Sequence, residues 1–202
     1  MNQQVEDIKA IRDMMEKSSK FLSLSGLSGI FAGFFAICGA AFAYFYLLKD
    51  PAATDYTYRQ EVLILLADAL IVLLLSIGFG VFFSWKKSKK NNQLFFNSVT
   101  WRAIYNLTIP LIAGGFFSFL LLWRGDIGLV AASTLLFYGL ALINVSKYTF
   151  EEIHYLGIIE IVLGLIAAAF SRYGVVFWTI GFGFCHILYG LIMYNKYDRK
   201  KE

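Results

Sequence analysis

Histidine, cysteine and proline each occur only twice in this chain, and charged residues make up 16% of it, against about 25% in a soluble domain. Each shortage removes a class of protein. Two histidines without an H-E-x-x-H sequence do not make the motif of a zinc hydrolase. Two cysteines, Cys38 and Cys185, both inside apolar runs, give no disulfide framework and read as small packed thiols. No G-x-S-x-G occurs, and no glycine stretch leads into Lys-Ser/Thr, so a nucleophile elbow and a phosphate loop are both missing. Nothing here marks an enzyme or asks for a cofactor or metal. Glu151 and His154 do have the E-x-x-H spacing of carboxylate-bridged metal bundles, but the second copy and the further carboxylates are absent. Glutamate at a helix start is favoured by the dipole in any case.

What is present is apolar. The mean hydropathy is +0.63, with 58% hydrophobic and 18% aromatic residues, and the few charges cluster between long apolar blocks. Blocks of about 18 or more apolar residues read as membrane spans. Six are expected, at 21–48, 62–85, 103–123, 127–146, 153–171 and 174–195, giving an all-α, polytopic six-helix bundle. Trp101-Arg102 and Trp123-Arg124 bracket the third as interfacial anchors. Connections after the third and fifth spans are so short that those neighbours form antiparallel hairpins. Pro110 removes one backbone donor from the third span and is expected to bend it.

Orientation follows from the basic residues. Lys9, Arg12, Lys17, Lys20, Lys86, Lys87, Lys89, Lys90, Arg102, Lys147, Lys196, Arg199, Lys200 and Lys201 fall on one side, and Lys49, Arg59, Arg124 and Arg172 on the other. Fourteen against four places both termini in the cytoplasm by the positive-inside rule, and an even span count requires the same. That bias accounts for the net charge of +4 without a nucleic-acid partner. Ala41-Phe42-Ala43 resembles a cleavage site, but residues 1–20 carry four acidic and four basic groups and the apolar run is too long for a signal peptide. Residues 1–20 instead predict a short amphipathic helix, with Val5, Ile8, Ile11 and Met15 on one face, lying on the bilayer or on a partner. The segment 86–102 suits an anionic inner leaflet, and 196–202 is a basic tail.

Inside the spans, ionisable groups are expensive and should face protein or water. They are Asp68, Glu160 and His186, with His154 and Asn144 near the inner ends. The runs GIIEIVLGLI (157–166) and GFCHILYGLI (183–192) place Glu160 and His186 in matching frames, Gly157 and Gly164 in one, Gly183 and Gly190 in the other. Counted from the turn that joins them, both lie about 17 Å deep. The two runs would then be related by a local axis in the membrane plane, and Glu160 and His186 are expected to pair across it, locking the helices or serving a function, or else to make no contact. Ser25, Gly29 and Gly33 make a small-xxx-small packing face on the first span.

Residues 11–33, IRDMMEKSSKFLSLSGLSGIFAG, and 181–197, GFGFCHILYGLIMYNKY, resemble the ends of small six-span bacterial inner-membrane proteins that carry no assigned function. The resemblance implies a multi-pass inner-membrane location and transfers no site residues. Two functions then fit: a non-enzymatic sensory or regulatory protein acting through its cytoplasmic surfaces, or a small oligomeric transporter or channel subunit using Asp68, Glu160 and His186. Besides the lipid bilayer, the partners left open are a second copy and a cytoplasmic protein.

Overall fold

The computed structural model describes residues 23–45, 57–92 and 94–199, with Tyr58 by its backbone alone. The expected amphipathic helix of residues 1–20, and the tail beyond 199, lie outside the described residues. Among those described there is no strand, and six helices are long and apolar enough to cross a membrane. They are α1 (Gly26–Ala43), α2 (Tyr58–Lys90), α3 (Ser98–Arg124), α4 (Val130–Ser146, entered through a 3₁₀ turn at Ile127–Leu129) and α5 (Glu151–Ala169). The sixth, α6, is one continuous rod whose winding alternates: α over Gly174–Trp178, π over Thr179–Cys185, α over His186–Met193 and π over Tyr194–Asp198.

Local chemistry explains the helix ends. Thr57 and Gln60 form a capping box at the start of α2, and Asn97 accepts the Thr100 N–H at 2.8 Å to open α3. Gly125, at φ 86°, closes α3 in the left-handed conformation that glycine adopts without strain. α2 has 33 residues and runs past the expected 62–85. Lys87, Lys89 and Lys90, expected in a loop, occupy its last turn instead, where the negative end of the helix dipole favours cations. α3 is continuous through Pro110. Proline cannot return an N–H to the Asn106 carbonyl four residues back, and Asn144 Nδ2 of α4 donates to that carbonyl at 2.9 Å.

The packing order is a short row. α2 lies on α1, α1 on α6, α6 on α4 and α5, and α3 on the far side of α4. Phe31 and Phe35 of α1 meet Phe79 and Phe83 of α2, with ring centroids 5.2 Å apart for Phe31 against each of its two partners. Ser118 of α3 and Ser133 of α4 share a buried hydrogen bond at 2.7 Å. Ser133 Oγ also donates to the Val130 carbonyl at 2.9 Å, so Ser118 is the donor between the helices. Apolar side chains of α2 such as Leu63, Leu70, Ile71 and Leu74 are exposed, as a lipid-facing helix requires.

Two of these contacts are the same contact used twice. At the α4–α5 crossing, a Cβ added to Gly139 would fall 2.6 Å from the Gly157 carbonyl oxygen, 2.7 Å from Ile161 Cγ1 and 2.9 Å from Ile161 N. At the α1–α6 crossing, one added to Gly33 would fall 2.5 Å from the Gly183 oxygen, 2.7 Å from Ile187 Cγ1 and 3.0 Å from Ile187 N. Gly164 abuts Leu136 N and the Ala132 oxygen as Gly190 abuts Ile30 N and the Gly26 oxygen. Thus Ala132, Leu136, Gly139 and Ile143 correspond to Gly26, Ile30, Gly33 and Ile37. Gly157, Glu160, Ile161 and Gly164 correspond to Gly183, His186, Ile187 and Gly190. The two crossings are thus built on matching residues, α4 with α5 in one and α1 with α6 in the other.

Candidate functional site: a buried glutamate and histidine between helix crossings

Glu160 is 0% exposed and His186 6%. Glu160 Oε1 lies 3.5 Å from His186 Nδ1, so the two ionisable groups expected at matched depth do meet. That nitrogen is already committed: it is 3.0 Å from the Gly181 carbonyl, which can only accept, so Nδ1 carries a hydrogen and donates it there. Nε2 is 2.8 Å from the Tyr138 hydroxyl of α4. The imidazole also stacks on Phe182, at 17° between planes, and Phe182 in turn meets Trp178. Glu160 is the poorly served member, since neither carboxylate oxygen receives a hydrogen bond from any protein group.

The winding of α6 makes this geometry. A π turn holds an extra residue, and such turns recur at functional sites. The stretch Thr179–Cys185 ends directly before His186. Gly181 lies within it, and a side chain there would collide with Glu160 Oε2 and lie 2.6 Å from Leu135 Cδ2. Glycine at 181 thus both opens room for the carboxylate and supplies the carbonyl that orients the imidazole.

A second polar cluster joins helix ends twelve residues further along α6, about 18 Å away. Asp198 Oδ2 accepts from Ser25 Oγ and from the Gly26 N–H, each at 2.8 Å, at the positive end of the α1 dipole. Its other oxygen is 2.6 Å from Lys87 Nζ of α2, and Lys87 also donates to the Leu24 carbonyl at 2.7 Å. Beside it, Lys196 Nζ and the Tyr197 hydroxyl reach Glu152 of α5 at 2.5 and 3.0 Å. The clasp ties α1, α2, α5 and α6 together at one end.

The remaining sequence-selected residues go elsewhere. Asp68 is half-buried on α2 and faces Gly39 of α1, away from the pair. His154 is exposed beside Tyr155. Asn144 serves the Asn106 carbonyl, while Gly29, Gly33, Gly157, Gly164, Gly183 and Gly190 all sit in helix crossings; Ser25, read as a packing residue, also belongs to the clasp. Among the described residues, no group of three His, Cys, Asp or Glu side chains could hold a metal ion. Sequence reasoning missed Tyr138, Gly181, Lys87 and Asp198. Tyr138 carried a usable signal, because a mid-span hydroxyl needs a partner.

Fold and site together define an all-helical protein with six helices able to span a membrane and an ionisable pair sealed between three of them. Comparison of the chain with protein-family models, curated proteins and solved structures finds no match.

Proposed function

We propose that this is a non-enzymatic, multi-pass protein of the bacterial inner membrane, with both termini cytoplasmic, that acts in sensing or regulation through its cytoplasmic end. The observation that carries this reading is the clasp. Its members come from the edges of the three segments that the charge bias assigns to the cytoplasm: Ser25 beside 1–20, Lys87 at the start of 86–102, and Lys196 and Asp198 in the tail. A surface assembled from three separate parts of the chain is one whose shape depends on how the helices stand. That dependence is what a regulatory output needs.

The test compares wild type with Asp198→Asn, both purified by affinity tag from native membranes after mild cross-linking. A cytoplasmic protein retained by wild type and lost from the variant is the expected result. Equal recovery from both, or no partner from either, overturns it. Transport is the second reading, favoured by the membrane-buried Glu160–His186 pair. The position of Asp68 against α1 counts against the polar route first expected for it, and absence of ion, proton and solute flux in liposomes would exclude it.

A further inference from the structure

The pair and the clasp share α6, and the chemistry of the pair names a ligand. We infer that Glu160, His186 and Tyr138 form a proton-binding site inside the bundle, and that the bound proton is the input to the cytoplasmic end. The second half rests on the regulatory reading above.

The reasoning begins with charge. Moving a carboxylate from water into an apolar interior is strongly unfavourable unless the charge is compensated. Glu160 is fully buried without a donor to either oxygen, so the site favours holding one compensating proton, and giving that proton up leaves a charge that the surrounding groups must move to accommodate. That proton has two places to be. On Glu160 it makes a neutral acid, with His186 donating from Nδ1 to Gly181 and accepting at Nε2 from Tyr138. On His186 it makes an imidazolium facing a carboxylate, and Tyr138 must then turn its hydroxyl to accept. Both forms use the same heavy-atom positions, so the tyrosine proton reports which one is present.

The surroundings supply little else that could titrate. α4 contributes Tyr138, and α5 contributes Glu160. α6 contributes His186, the Cys185 thiol within electrostatic reach of Glu160, and Tyr189, whose hydroxyl is buried without a partner. α1 presents Gly29 and Gly33 to the His186 side of the crossing. The correspondence between the two crossings matches Tyr138 with Ala32, a residue with no hydroxyl. His186 is oriented on two sides and Glu160 receives no donor, as suits a site that gains and loses its proton at the glutamate.

The experiment uses the full chain in lipid bilayers. The sequence has two histidines, so in His154→Gln every histidine ¹⁵N signal belongs to His186. At low pH the ring should show a protonated Nδ1 and a bare Nε2, and infrared difference spectra should contain a carboxylic-acid carbonyl band. That band should be lost as the pH rises, be absent from Glu160→Gln, and shift in Glu160→Asp, which keeps the acid should the glutamine variant not fold. Hydrogen-exchange protection at Tyr194–Asp198, taken relative to the intrinsic rate at each pH, should change across the same pH step in His154→Gln and stay constant in Glu160→Gln. A His154→Gln chain lacking any pH-dependent carboxylic-acid band, or a His186 ring bare at Nδ1, overturns the inference. Constant protection at the clasp overturns the coupling. Partner recovery in the Asp198→Asn experiment is read at a single pH, so its failure removes the regulatory reading and leaves the proton site standing.

Discussion

The bond between Asn144 and the Asn106 carbonyl makes a prediction with an internal control. Replacing Asn144 by leucine keeps the bulk and removes the donor, leaving a carbonyl that Pro110 has already deprived of its helical partner. An orphaned buried acceptor costs about 1–3 kcal/mol and this one is partly buried, while hydrogen bonds between membrane helices average about 0.6 and reach about 1.7 kcal/mol. The expected loss is therefore about 1–2 kcal/mol. In a Pro110→Ala background, residue 110 regains an N–H and can serve Asn106 within α3, so Asn144→Leu should then cost less than about 0.5 kcal/mol. The assay is reversible unfolding in mixed micelles with rising denaturing detergent, run on wild type, both single variants and the double variant. If Asn144→Leu costs the same in both backgrounds, Asn144 does not act by replacing the proline's missing bond.

Two more predictions use the same assay. Gly33→Ala and Gly139→Ala push a methyl group against backbone atoms in equivalent seats, so each should destabilise by about 1–3 kcal/mol and by nearly the same amount. Gly115→Ala, with nothing within 4 Å, should stay within about 0.5 kcal/mol of wild type, and unequal losses at 33 and 139 would refute the equivalence. Ser118→Ala removes the donor to Ser133 and should cost about 0.5–1.5 kcal/mol; no loss would mean that Ser133 finds equal partners on α4 alone.

The residues that were legible in the sequence share a physical cause. A polar atom in a long apolar run has few excuses, so Glu160, His186 and Asn144 declared themselves by their cost, and the glycines around the first two by their matched spacing. What could not be read was lateral. Periodicity assigns a residue to a face of its own helix and does not say which helix stands opposite. Tyr138 therefore gave no sign of reaching across to α6, and Asp68 gave none of facing α1 instead of the pair. The clasp was hidden for a different reason. Lys87 and Asp198 sit among other charges at span ends, where sequence sees only topology signals, and α2 extends farther than hydropathy alone suggests because lysines suit a helix C-terminus. The π winding of α6 left a faint mark in the glycines of TIGFGFC, but glycine equally suits close packing, and only the carbonyl of Gly181 shows what that stretch positions.

α6 is the one helix on which all these devices converge. Its glycines form one of the two crossings, its histidine half of the buried pair, and its end the clasp. Both crossings press glycine against backbone atoms and β-branched isoleucines, an arrangement with little slack to absorb a small shift. Any rearrangement at Glu160 and His186 must then be taken up where the winding of α6 is irregular or carried along the rod as a whole. The irregular stretches are Thr179–Cys185, which ends beside the pair, and Tyr194–Asp198, which holds the clasp. Because Asp198 caps α1 and pairs with α2, and α1 and α2 are bound along their phenylalanine seam, a change in α6 reaches that two-helix unit at its end. The same fold without Tyr138 or Gly181 would still be a six-helix bundle, but its glutamate would have no oriented histidine to face.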